Sequence, residues 1–353
     1  MREYGSELPA VLLPDGYFES LKDYGREMTY LRTGREALLY VSRNCKPVDT
    51  GVILCPAYSC WSMIAPFECS GWKVVYYRLN QDLTIDEEYL IKLLPAFKPD
   101  AILTMNFYGS ASTQYAIPLV KEFNDKIIVI EDFSHCTFCL DQIYNEQVDF
   151  YVTSIRKSVG VCDGALVLSK EPTNRQYIDA YAPDFGELRW GAQRQKGRYS
   201  VTKSRDKKDI FLSELKRGEE MIEKIDGVHP ISDVSLRMLE TINGAEIAFA
   251  RRENMKHLWN ELEFEVKMIP GLQKSFGGAP FSLPIMVENR DEVQKRLAKK
   301  GVYTPVLWPI GKDARKVCAN SAYVSEHMLS LPVDQRYDWD DMEDIARIVK
   351  ETL

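Results

Sequence analysis

The sequence predicts an α/β protein, with a large domain built on a mostly parallel sheet sandwiched by helices and a smaller C-terminal α+β domain. Six short apolar runs recur between residues 51 and 169 with helix-length segments between them, and strands alternating with helices build a parallel sheet covered on both faces. The pattern then shortens and mixes toward the C-terminus. The chain has 353 residues, more than the roughly 250–300 at which one core stops growing, so a second unit is expected.

Residues 1–30 are mixed and punctuated by Pro9, Pro14 and Gly16, which predicts an arm over the body. At Thr33-Gly34-Arg35-Glu36 the sequence reads as a capping box opening a helix, with Ala37, Leu38 and Val41 at helical spacing. The apolar runs are GVILC, WKVVYY, DAILTM, KIIVIE, DFYVTS and ALVLS. Past Lys170 the regularity drops: residues 181–202, rich in Gly, Arg and aromatics, are expected as a long loop, followed by an amphipathic helix near 203–225 and a helix over 245–264. The large domain is placed at 31–259 and the small one at 260–353. In the latter, FSLPIMV, VYTPVLW and HMLSLPV read as strands, while RDEVQKRLAKKG and WDDMEDIARIVKETL read as helices.

The formal net charge is −7, which argues against broad binding to nucleic acid or to an anionic membrane. No run of roughly 18 apolar residues occurs, and the N-terminal segment carries charge and proline where a signal peptide needs an apolar core. A soluble cytoplasmic protein with small-molecule partners is expected. The eight cysteines lack a disulfide-framework spacing and read as reduced thiols. Cys136-Thr-Phe-Cys139 has the spacing of a redox or metal pair, but without a second pair it reads as two buried small side chains, and no metal is expected.

Ligands of open parallel sheets bind beyond the carboxyl ends of the strands. Those ends carry Pro56-Ala-Tyr58-Ser59, Asn106-Phe-Tyr108-Gly109, Asp132-Phe-Ser134-His135 and Ser154-Ile-Arg156-Lys157. Lys157 lies at the crossing between two apolar runs, and its neighbour Arg156 together with loss of water favours the free amine that Schiff-base chemistry needs. A carboxylate such as Asp132 at the mouth of an apolar site needs a cationic partner, for which a protonated ring nitrogen would serve. A lysine, an acid for a pyridinium and a phosphate cup at a helix start are the protein requirements of pyridoxal phosphate, and Thr33 to Leu38 supplies the third. Each residue also has a plainer role: Asp132 as a turn cap, His135 as a core histidine, Thr33-x-x-Glu36 as a cap with no ligand.

Taken together, the motifs resemble the DegT-like aminotransferases, within the fold-type-I pyridoxal-phosphate enzymes and best known for nucleotide-sugar aminotransferases. TGREAL is similar to that family's S-G-T-x-A-L, CPAYSCWS to its P-S-x-T-[FW], MNFYGSAS to its V-x-x-x-G-x-x-A, and VIEDFSH to its V-I-E-D-[AC]-A-[QH]. LNQDLTID, GVYTPVLWPI and LSLPV add matches along the chain. The resemblance implies a Schiff base on Lys157, Asp132 at the pyridine nitrogen, His135 near the ring hydroxyl, and Gly34, Arg35 and Ser154 on the phosphate. It implies a ring-stacking residue at Cys60 or Trp61. Ser235 would stand for the asparagine that reaches a partner subunit's phosphate, in a homodimer. After Lys157 this chain has no G-E-G-G, and reads Ser158-Val-Gly-Val-Cys-Asp163-Gly164. Arg189, Trp190 and Arg194 in the expected loop, with Trp308, are candidates for substrate recognition, guanidinium forks and aromatic faces suiting phosphate or carboxylate. The implied reaction moves an amino group from glutamate to a nucleotide-linked keto-sugar. Another type-I reaction, a non-sugar substrate, or a non-catalytic cofactor-binding regulator stay open as alternatives.

Overall fold

The structure, a computed structural model, describes residues 16–45, 50–109, 113–202, 205–272 and 278–353. All six apolar runs become strands. With β1 (Glu27–Leu31), they are β2 (Val52–Pro56), β3 (Lys73–Tyr77), β4 (Ala101–Met105), β5 (Ile128–Asp132), β6 (Phe150–Thr153) and β7 (Ala165–Ser169). They form one sheet in the order β1-β7-β6-β5-β4-β2-β3. The pairs β2–β3, β2–β4, β4–β5 and β5–β6 are parallel, and β6–β7 and β1–β7 are antiparallel. Every residue of β4, β6 and β7 is buried, as expected of strands covered on both faces. Because the parallel strands run the same way, the segments after β2, β4, β5 and β6 emerge on one rim.

Of the arm expected over 1–30, residues 1–15 lie outside the described residues. Residues 27–31 form β1, registered with Glu27 opposite Ser169 and Leu31 opposite Ala165. β1 leads directly into the predicted helix, Gly34–Asn44. The Thr33 hydroxyl accepts from the Glu36 amide, as the cap requires. The Glu36 carboxylate is taken by the Arg32 guanidinium at 2.6 Å and by His229 at 2.9 Å.

The second sheet is three-stranded and antiparallel, ordered β10-β9-β8 with β8 (Lys267–Met268), β9 (Ser282–Met286) and β10 (Met328–Pro332). β9 and β10 match the FSLPIMV and HMLSLPV runs. VYTPVLW is not a strand: residues 303–310 run without regular structure, because Pro305 and Pro309 have no amide hydrogen to give a ladder.

Residues 183–202 also differ from expectation. They form a helix, Pro183–Thr202, packed against the helix Arg205–Met221. Tertiary packing overrides the glycines: the Gly218 Cα lies against Arg189, where an added Cβ would stand 3.1 Å from its Cγ. A further correction concerns Cys136 and Cys139, expected as thiols. They are joined as a disulfide with Cα atoms 5.6 Å apart, a span set by two successive turns, Cys136 N–H to Phe133 O and Cys139 N–H to Cys136 O. The other six cysteines are free. Among the described residues no helix is long and apolar enough to cross a membrane.

Candidate active site

One cleft opens on the rim. It is lined by Thr33, Gly34 and Arg35 from the helix start, by Cys60, Ser62 and Met63 from the segment after β2, and by Asp132, Ser134, Ser154, Arg156 and Lys157 from the ends of β5 and β6. The topology accounts for this meeting, since β5 and β6 are adjacent and parallel and Gly34 is pressed on Ser154. An added Cβ at Gly34 would stand 2.9 Å from the Ser154 Cβ, so only glycine allows that approach. Two hydrogen bonds knit the strand ends: Ser134 N–H donates to Asp132 Oδ1 at 2.9 Å, and Ser154 N–H donates to Ser134 Oγ at 2.9 Å. Asp132 is buried. Lys157 ends a single 3-10 turn, Ile155–Lys157, and faces two cavities. The second is lined also by Arg251, Phe281, Ser282, Tyr303, Ser330, Asp334 and Arg336.

The electrostatics of the cleft are cationic. Arg35 has Nε and Nη1 buried without a hydrogen-bond partner. Burial and the neighbouring Arg156 both push its proton affinity below the usual arginine value. Arg156 is clamped by Glu219 at 2.8 and 3.2 Å. Burial would raise the Glu219 carboxyl, but Arg156, Arg189 and Arg35 outweigh it and hold it low.

His135 is fully enclosed, with its ring stacked between Phe281 (centroids 4.7 Å apart, planes at 7°) and Trp308 (5.1 Å, 27°). Burial first, and the Lys157 ammonium second, drive its pKa well below the ordinary histidine value, so the imidazole is neutral. Its Nδ1 accepts from the Tyr108 amide at 3.3 Å, which leaves the proton on Nε2, buried and without a partner. Tyr108 is held with φ at 53°, and its hydroxyl donates to Leu307 O at 3.0 Å, tying the rim to the segment that carries Trp308.

Other candidates fall elsewhere. Cys60 lines the cleft, whereas Trp61 is mostly exposed and lies 5.0 Å from the Arg35 guanidinium. Ser235 does not face the cleft: it is fully buried, accepts from the Asp163 amide at 3.3 Å and lies 3.1 Å from Cys162 Sγ, which corrects its expected reach toward a partner subunit. Arg189, Trp190 and Arg194 are helical and outside the cleft lining. Arg189 is buried, bonded to Cys162 O at 3.0 Å and to Glu219 at 2.8 Å, Trp190 packs on the core and Arg194 is exposed. Trp308 and His135 also lie outside the cleft lining; Trp308 packs on the His135 ring, and His135 follows Ser134, which lines the cleft. The sequence offered no signal for Arg251, Glu219 or Phe281, whose partners are distant in the chain.

No protein-family model matches the sequence, and no curated protein does. Solved structures do match along nearly its whole length. Helicobacter pylori PseC, an aminotransferase involved in the biosynthesis of pseudoaminic acid, is 14% identical, covers 99% of this chain and 99% of its own, and has a TM-score of 0.68. A DegT DnrJ EryC1 StrS aminotransferase from Brucella abortus is 15% identical over 95% of this chain and 88% of its own, with a TM-score of 0.61. Spr1654 from Streptococcus pneumoniae in its PMP form is 13% identical over 99% and 98%, with a TM-score of 0.69, and a PLP form is similar too. This chain therefore has the fold of those enzymes, as the sequence predicted.

Proposed function

We propose that this chain is a pyridoxal-phosphate-dependent aminotransferase of the DegT-like kind, moving an amino group from glutamate to a keto-sugar carried on a nucleotide, and working as a homodimer. The observation that carries the proposal is the convergence of Lys157, Asp132, Ser154 and the Gly34–Arg35 helix start on one cleft. The site would lie where a large domain, residues 31–259, meets a small one, residues 260–353. Similar folds solved in PLP and PMP forms support the cofactor.

The residues present fit that group. The unpartnered Arg35 nitrogens and the amides of the helix start suit a phosphate. The Gly34–Ser154 contact brings the Ser154 hydroxyl to the same point. The Nε2 proton of His135 suits an oxygen acceptor on the ring. When bound, pyridoxal phosphate supplies an aldehyde carbon for the amino group and a ring that takes up the electrons released when the substrate carbon loses its proton. Asp132 would keep a proton on the pyridine nitrogen; the Ser134 amide holds its carboxylate, and the Ser154 amide in turn fixes Ser134 through its hydroxyl. Lys157 would anchor the cofactor through its amine, and that amine, once free, would take the proton from the substrate carbon and return it to the aldehyde-derived carbon two atoms along. His135, neutral and stacked, would give its Nε2 proton to the ring hydroxyl without competing for the proton that Lys157 moves. The stacked rings of Phe281 and Trp308 exclude water from its two faces.

Adding glutamate to the cofactor-loaded protein should convert the visible absorbance to that of the PMP form and release one equivalent of 2-oxoglutarate. A loaded protein that leaves glutamate unchanged sinks the reading. Gly34→Val places carbon where none fits; overpacking of this kind costs about 1–3 kcal/mol, so cofactor affinity, read by titration, should fall by about tenfold or more.

A different acceptor from a nucleotide sugar is favoured by one observation. Asp163, in the stretch that departs from the family pattern, is buried and spent on Ser232, accepting from its amide at 3.0 Å and its hydroxyl at 2.7 Å, so it is not offered to a substrate. A panel of keto acceptors distinguishes the two.

A further inference from the structure

Arg251 sits on the helix Gly244–Leu262 and is almost completely buried. Its guanidinium spans three separate parts of the chain. Nη2 donates to Ser158 O at 3.1 Å, Nη1 to Pro280 O at 3.2 Å and Phe281 O at 3.4 Å, and Nε to Gln335 Oε1 at 2.9 Å. Gln335 in turn donates from Nε2 to the same Ser158 carbonyl at 2.9 Å. The nearby carboxylate, Asp334, is held by Arg336 at 2.6 and 2.7 Å. A buried cation answered by neutral carbonyls is costly, and an apolar side chain of the same volume would be the cheaper way to fill the space. The arrangement gives placement in return. Ser158 directly follows Lys157, and Phe281 is the ring stacked on His135.

From this geometry, and resting on the function proposed above, we infer that Arg251 is a positioning residue that fixes the Lys157 amine relative to His135 by clamping Ser158 O and the Pro280–Phe281 carbonyls to one rigid fork. The planar guanidinium suits this task because its donors point in fixed directions, which a lysine ammonium cannot reproduce.

The test compares Arg251→Lys, Arg251→Met and Gln335→Met with wild type. Gln335→Met removes one of the two donors to Ser158 O and the acceptor of the Arg251 Nε–H, but keeps the guanidinium and its bonds to Ser158, Pro280 and Phe281, and serves if the Arg251 variants do not fold. In the loaded enzyme, both Arg251 variants should lower kcat by about a hundredfold, the scale of an ångström-level misplacement. KM for glutamate should stay within about threefold, the mark of an interaction that matters in the transition state. The pH midpoint of the visible band should shift. Gln335→Met should move kcat and the midpoint the same way, by less. In cofactor-free protein, acetic anhydride labelling of Lys157, read by mass spectrometry against the other lysines, should accelerate several-fold in Arg251→Met. Lower melting temperatures with unchanged kcat, midpoint and labelling would overturn the inference and leave Arg251 a structural staple. If wild type neither gains a visible band with pyridoxal phosphate nor turns over, the proposed function fails, and the labelling rate alone decides whether Arg251 positions Lys157.

Discussion

Lys157→Ala should lower transamination by about 10³–10⁴-fold or more, because on the function proposed above the substitution removes both the anchoring amine and the group that moves the proton at the substrate carbon. The loss should be in kcat, with the protein still folded, since Lys157 is only half-buried and ends a single 3-10 turn after β6. Pyridoxal phosphate should still bind through its phosphate, held by Arg35 and Ser154, but the visible band of the lysine linkage should vanish. Methylamine, a small primary amine able to enter the cleft, should restore part of the rate. The measurements are steady-state kinetics and absorbance titration of wild type and variant side by side. A variant that keeps a tenth of the activity, or an unchanged visible band, removes Lys157 from the role assigned to it.

The second large effect is on stability and lies one residue before Asp132. Glu131 is fully buried in β5, hydrogen-bonded by the Thr104 hydroxyl. Its other oxygen, Oε1, is buried without a partner. Burial raises its pKa from 4.5 to about 8; the Thr104 bond opposes that rise and the Asp132 charge adds to it. A carboxyl with a raised folded pKa contributes stability that is whole below the unfolded value and is lost as pH rises toward the folded one. Wild-type stability should therefore fall, relative to Glu131→Gln, across the window from 4.5 to about 8. The substituted amide keeps the shape and an acceptor for Thr104 but carries no proton to lose. The two proteins should be similar near pH 5, and the glutamine variant more stable at pH 8 by up to about 4 kcal/mol, the free energy of a shift of that size. Denaturant unfolding at several pH values reads this directly, and parallel stability curves would show that Glu131 is not the buried acid argued here.

Much of the fold and half of the site were legible in the chain. The runs that became β2 to β7 could be read because a strand buried on both faces is written locally, as consecutive apolar residues. Asp132, Ser154 and Lys157 followed, since strand ends in a parallel sheet share a rim whatever the details of packing. β1 was missed because its burial pattern of intermediate and buried residues is weak over five positions. Residues 183–202 were misread because glycine and arginine were weighed as loop residues, while the partner helix Arg205–Met221 that stabilises them is invisible to local propensity. Ser235 was assigned by its place in a motif, and burial against Cys162 and Asp163 turned it into a structural residue.

The sequence by itself determined that β2 to β7 exist, that most are parallel, and which side chains stand at their ends, because hydrophobic period and chain direction are properties of neighbouring residues. Only the tertiary structure decided which nitrogen of His135 carries the proton, that Arg35 is left unmatched, and that Arg251 grips the carbonyl beside Lys157 from 93 positions away. Those outcomes depend on hydrogen-bond partners brought together by packing of two sheets, and no local pattern encodes a bond between residues that meet only when the core closes.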